Sequence, residues 1–400
     1  MSEQRASSSR AEILKALQST LQSGIDAGIP GLSAAIRTSN GIIWQSTAGY
    51  ANIVSQEPIK SNNIFGIGSI TKVFVAVVIL QLVDENLLKI TDLVEDYLEN
   101  EVLRDIEHAG KATIGGLLSH TAGVESWEDD PKWIVEGRGK ELDPARIWGK
   151  TDALEYIRRR SSLTPGKFSY SNTNYTLLGL IIEKITHQSA ESEIRRRILI
   201  PLDLRHTHLE GFEDATQVQE GKPPHRYHYA TETFRNTAGI CPSFSEHEWK
   251  SVSLIDATPS NLSVEWAAGG IISSPPDLLK LATSIRDGKL LSPSSMKIMH
   301  AWQTVGKARK GMEMGHGLFR GESPLGYGTW LGHNCSVLGF TGTLWWSEEG
   351  DCAVCVLANV GTMHAGDVPS SAPHVAWESK FLELAAKLAA NVSEDTMLVT

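Results

Sequence analysis

The segment FGIGSITKVF sets Ser69 and Lys72 three residues apart, where a loop with glycines at 66 and 68 runs into a long apolar stretch. A hydroxyl is a weak nucleophile until a base takes its proton, and a lysine amine becomes such a base once burial lowers its proton affinity. Residues i and i+3 share one helical face, so Lys72 is within reach of the Ser69 hydroxyl. A helix start offers unpaired N–H groups and the positive end of the backbone dipole, both favourable to negative charge developing on oxygen. The apolar run Val73 to Leu80 would desolvate the lysine. The plainer alternative is a serine that caps a helix, and this segment alone leaves both open. Ser294 and Lys297 repeat the spacing in SPSSMK, but Pro293 and the polar flanks there indicate only a helix start.

Two more stretches carry groups suited to the same chemistry. FSYSNTNY puts Tyr170 and Asn172 two apart, ahead of a helix expected at 175–186, a phenol and an amide for one side of a cleft. Taken alone, it reads more simply as a turn with a surface tyrosine. LGFTGTLWW places Thr341, Gly342 and Thr343 at the entry to a strand. The glycine admits a close substrate, and the Thr343 N–H could donate to an oxyanion. It is also an ordinary strand start.

The elements that must position these groups follow from periodicity. Ile13, Leu14, Leu17, Leu21 and Ile25 mark one face of a helix. GLSAAIRTSNGIIWQSTAGYAN reads as a hairpin turning at Asn40-Gly41 in a type I′ turn. One buried helix is expected from Ser69 to about Leu88, and a short helical piece over Asp92 to Leu98. TLWWSEEGDCAVCVLAN reads as a second hairpin, and HVAWESKFLELAAKLAANV as a closing amphipathic helix. Strands near both ends with helices between them indicate an α/β fold, in which one antiparallel sheet is built from N- and C-terminal strands and flanked by helices. Its expected parts are residues 1–98, a mostly helical insertion over 99–240, and 241–400.

Composition narrows the partners. The 400 residues carry 37 Lys+Arg against 47 Asp+Glu, a net charge of -10, and this balance opposes binding to nucleic acid or an anionic membrane. The Arg158–Arg160 and Arg195–Arg197 runs are short enough to be solvated helix faces. The beginning MSEQRASSSRAEI has no apolar leader region, and the longest apolar run, Val73 to Val83, is too short to span a bilayer. Cys352 and Cys355 fall in a strand-like run and read as buried free thiols. The His-rich PPHRYHY at 223–229 suits a loop at the edge of a cleft better than a metal site. Cytoplasmic residence is the default expectation.

Ser69-Ile-Thr-Lys72, Tyr170-Ser-Asn172 and Phe340-Thr341-Gly342-Thr343, in that order, resemble the three motifs of serine β-lactamases and penicillin-binding proteins. The flanks LLSHTAGV, LTPGKFSYSNTNYTLLGLIIEKIT and WAAGGIISSPPDLLKLA look most like the DD-carboxypeptidase, D-aminopeptidase and class C β-lactamase branch, the S12 peptidases. The resemblance covers roughly residues 11–390. It implies an acyl-enzyme on Ser69, Lys72 and Tyr170 as the acid/base pair, and Asn172 as the group that orients them. The oxyanion would lie between the N–H groups of Ser69 and Thr343. No metal or organic cofactor is implied, and the partner is a small ester, thioester or amide. The third motif departs from the family, which has Lys or His where Phe340 stands. That departure makes a substrate carboxylate less expected and an uncharged or apolar substrate more so, with Arg226, His225, His228 or His333 as possible substitutes. An acyltransferase or thioesterase using the same serine, and a non-catalytic ligand-binding relative, are the alternatives.

Overall fold

The computed structural model describes residues 9–214, 221–306, 311–323 and 326–397. The first eight residues, read above for a leader region, and the last three lie outside them. The centre is a nine-stranded antiparallel sheet. Its strands are β1 (Gly31–Thr38), β2 (Gly41–Asn52), β3 (Glu57–Pro58), β4 (Gln303–Thr304), β5 (Met312–Met314), β6 (Phe319–Glu322), β7 (Thr329–Val337), β8 (Phe340–Ser347) and β9 (Ala353–Ala358). They lie in the order β4-β5-β6-β7-β8-β9-β1-β2-β3. The carboxyl-terminal strands thus form a continuous meander, and the amino-terminal hairpin docks on its last member, with Leu32 opposite Ala358.

Helices cover both faces, which explains why β8 and β9 are buried at every residue rather than at every second one. On one face pack α1 (Arg10–Asp26), α5 (Ala372–Trp377) and α6 (Phe381–Met397). On the other packs α4 (Pro275–Arg286), and α2 (Thr71–Asp84) packs against the helices at Asn172–Thr186 and Trp266–Gly269. The segment between the sheet's two halves carries α3 (Asn172–Thr186) and several short helices, together with strands at His208–Leu209 and Tyr227–Tyr229. Among the described residues, no helix is long and apolar enough to cross a membrane. All four cysteines are buried and free.

Four local expectations need correction. The first hairpin turns at Ser39-Asn40, with Thr38 opposite Gly41. Neither turn residue has a positive φ, whereas Gly41 has a φ of 115°, so the glycine opens β2 instead of completing a type I′ turn. The helix expected from Ser69 begins at Thr71, after a single 3-10 turn over Gly68–Ile70. It stops at Asp84, since the polar Asp84-Glu85-Asn86 step lets Asn86 take a φ of 59°. The piece at Asp92–Leu98 is only a 3-10 turn, Val94–Asp96. The closing helix is two, α5 and α6, broken where Lys380 takes a φ of 63°.

Candidate active site

The turn that carries Ser69 is pinned by segments distant in sequence. Phe65–Gly66 pairs with Ile271–Ser273, which also pairs with His208–Leu209. The Ile67 N–H donates to the Ile271 carbonyl at 2.9 Å, and the Ile271 N–H donates to Thr71 Oγ1 at 3.2 Å. The short helix Trp266–Gly269 immediately precedes that strand, so the Ala268 carbonyl is brought to the first turn of α2.

Lys72 occupies that turn and is fully buried. Its Nζ donates to Ser69 Oγ at 3.1 Å, to Asn172 Oδ1 at 2.6 Å and to the Ala268 carbonyl at 2.7 Å. Three acceptors match the three protons of an ammonium, and none is a carboxylate. Desolvation lowers the pKa of Lys72 to about 8, against the opposing pull of Glu128 and Glu265.

Asn172 opens α3, and its seat explains its orientation. Its N–H donates to Ser126 Oγ at 3.1 Å, and its Nδ2 donates to Glu128 Oε2 at 2.6 Å. Thr173 and Thr176 accept from the Trp127 backbone and indole N–H groups, both at 3.2 Å, so the loop around Trp127 is fastened to the helix start. Tyr170 lies just before α3, its ring centre 5.0 Å from Lys72 Nζ. The ring stacks on that of His120, with centroids 4.2 Å apart. His120 Nδ1 accepts the Ser171 N–H at 3.1 Å, which fixes the imidazole beneath the phenol.

The opposite wall is β7. β6 pairs with β7 only as far as Gly332, while β8 continues to Val337. From His333 to Val337 the strand therefore has one open edge, and it packs against the Ser69 turn. Counting back from the two-residue turn after Val337, the N–H groups of Cys335 and Val337 point at β8. Those of Asn334 and Ser336 point at the open edge. Gly68 permits the close approach: with φ 43°, a Cβ there would meet Val337 Cγ1 at 2.9 Å. The cleft between these walls has a volume of about 480 Å³, with Ser69, Asp129, Tyr170, Phe319, His333 and Ser336 in its lining.

Ser69, Lys72, Tyr170 and Asn172 are thus gathered at one place, but the third motif is not where it was expected. β8 is an interior strand paired on both sides, so the Thr343 N–H is committed to the sheet and is no oxyanion donor. Phe340 is fully buried, its ring edge-on to Phe65 at 6.1 Å and facing the Arg226 guanidinium at 5.4 Å. It fills the space left by Gly66, where a Cβ would lie 2.6 Å from the ring, and it does not face the cleft. Gly342 lies beneath Cys335, and Thr341 alone of the four lines the cleft. The wall belongs to His333-Asn334-Cys335-Ser336, one strand earlier. Of the suggested substitutes, His333 lines it. Arg226 instead pairs with Glu210, His225 with Asp256, and His228 is buried elsewhere.

Sequence reasoning also passed over Glu128, Arg138 and Glu265. Arg138 is buried and donates to Glu128 and, at 2.7 Å, to Glu265. The available signal was an acid next to a tryptophan, in SWED and VEWAAGG.

Residues 14–370 match the beta-lactamase family, and the chain belongs to it. Penicillin-binding protein 4 of Amycolatopsis lactamdurans is 29% identical over 176 residues, which is 44% of each chain. The match therefore spans less than half the length of that relative. Among solved structures, a D-stereospecific amidohydrolase from Streptomyces sp. is similar at 26% identity and TM-score 0.75, over 93% of this chain and 98% of that one. The D-amino acid amidase of Ochrobactrum anthropi SV3 shares the fold at 21% identity and TM-score 0.76, over 96% and 99% of the two chains.

Proposed function

We propose that this protein is a serine hydrolase that cleaves a small amide or ester through an acyl-enzyme on Ser69. The observation that carries the reading is a buried amine 3.1 Å from Ser69 Oγ at the edge of a cleft. Neutral Lys72 takes the hydroxyl proton as Oγ bonds to the substrate carbonyl carbon. The carbonyl oxygen becomes an oxyanion, held by the N–H groups of Ser69 and Ser336. The C–N or C–O bond then breaks, and the leaving amine or alcohol receives the proton from Lys72, directly or through the Tyr170 hydroxyl. Water attacks the acyl group, gives its proton to Lys72, and releases the acid as Ser69 recovers its own.

The charged residues in the cleft lining are Glu128 and Asp129; the described lining contains no lysine or arginine. A substrate carboxylate beside the scissile bond would meet repulsion there, so a neutral or amine-bearing acyl part is favoured. The amide arm of the reading is supported by the similarity to a D-stereospecific amidohydrolase.

A fluorophosphonate is expected to label Ser69, and D-amino-acid amides and p-nitrophenyl esters to be turned over by the protein but not by S69A. Full activity in S69A overturns the reading.

A further inference from the structure

Beside the cleft, Lys72, Glu128, Arg138 and Glu265 form a set of four charged groups, each less than one-tenth exposed. Two are cations and two are anions, so the set is neutral when all are ionised. We propose that Glu128, Arg138 and Glu265 act as a positioning unit that sets the amide of Asn172 and, through it, the aim and proton affinity of Lys72. The proposal rests on the reading that Lys72 is the base for Ser69.

An asparagine amide can be seated in two ways. Here Oδ1 accepts from Lys72 at 2.6 Å while Nδ2 donates to Glu128 Oε2 at 2.6 Å. The reversed seat would press the amide N–H groups against the ammonium and the amide oxygen against the carboxylate, so both contacts would become repulsive. Glu128 therefore decides which atom Lys72 meets. The other oxygen of Glu128 is bonded to Arg138, whose Nη2 also donates to Glu265 at 2.7 Å. That bond holds Glu128 against the Asn172 amide at the edge of the cleft. Glu265 precedes the short helix that supplies the Ala268 carbonyl, so two of the three acceptors around Lys72 are anchored to one guanidinium.

The charged and titratable groups around Lys72 come from every side. Glu128 and Glu265 favour the ammonium, and Cys335 on β7 faces it as a thiol that burial keeps neutral. The Tyr170 and Tyr175 rings lie 5.0 and 5.5 Å from Nζ. Asp129, next to Glu128 in the cleft lining, has its carboxyl pushed up to about 6 by burial and by its acidic neighbours. Burial also raises Glu265, to about 7. Glu128 is thus the anion most directly coupled to the lysine through a hydrogen-bonded path.

The test is E128Q, which keeps the shape and removes the charge. The acid limb of kcat/KM is expected to move down by about one pH unit, as for loss of a nearby opposite charge. The plateau kcat should fall with little change in KM, because the new carboxamide can donate to Asn172 and reverse it. A 13C NMR titration of the Lys72 Cε gives the same midpoint without any turnover. If S69A proves active, the hydrolase reading fails, yet the titration still decides the coupling. A folded E128Q with an unmoved limb and an unmoved Lys72 midpoint overturns the proposal, and a merely structural Glu128 would lower Tm alone. Should E128Q not fold, E265Q carries the test, with a smaller downward shift expected because the Glu128–Asn172 bond remains.

Discussion

A lysine that is buried with three neutral acceptors is poised between two states. As an ammonium it satisfies all three, and as an amine it frees a lone pair for Ser69. The pKa of about 8 decides how these share the physiological range. Below pH 8 the amine fraction grows about tenfold per unit, so kcat/KM should rise with that slope and level off above pH 8; a pH–rate profile checks it. K72R, which cannot lose its proton in this range, should lower kcat by about 100- to 10,000-fold. The linkage to stability has the less usual sign. Between about pH 8 and the ordinary lysine value of 10.5, the unfolded chain keeps a proton that the folded chain has lost. This group's contribution to stability therefore rises with pH across that window. The Ser69–Lys72 pair was legible because helical spacing alone brings the two together. Glu128 and Glu265 were not, since they converge on Lys72 from segments whose meeting only tertiary structure dictates.

Strand position, more than residue type, separates β7 from β8. Thr-Gly-Thr on β8 looks like a substrate-binding step in sequence, yet an interior strand has no backbone group to spare. The open edge at His333–Val337 exists because β6 stops pairing at Gly332, and no local pattern announces where a neighbouring strand will end. The edge yields a prediction. S336P removes the N–H aimed at the oxyanion, and should lower kcat by about 100- to 1,000-fold. Proline is tolerated where the N–H faces away from the ladder, so the fold should survive. S336A keeps the N–H and loses two bonds to Thr362, the 2.8 Å bond between the hydroxyls and the 3.2 Å bond that Ser336 Oγ accepts from the Thr362 N–H; its kcat should stay close to that of the parent. Equal losses in both variants, measured by steady-state kinetics, would remove Ser336 from the oxyanion role. Phe340 teaches a related lesson: its aromatic ring belongs to the packing between Phe65 and Arg226 and carries no information about substrate.

At the scale of the whole molecule, the sheet is closed by pairing the first hairpin with the last long strand, Leu32 against Ala358. The class of fold was legible in the hairpins near both ends, whose apolar runs and turns are local. The small three-stranded sheet joining Phe65–Gly66, His208–Leu209 and Ile271–Ser273 was not, because strands of two or three residues leave no periodic trace. That small sheet has a kinetic consequence. It ties the Ser69 turn to chain laid down some two hundred positions later, and contacts so remote must meet the entropy of closing long loops before they return any stabilisation. Helices can form from local contacts long before this. On dilution from denaturant, the far-UV helical signal should recover ahead of Ser69 labelling by a fluorophosphonate. Simultaneous recovery of the two would show that the nucleophile is already set when the helices form.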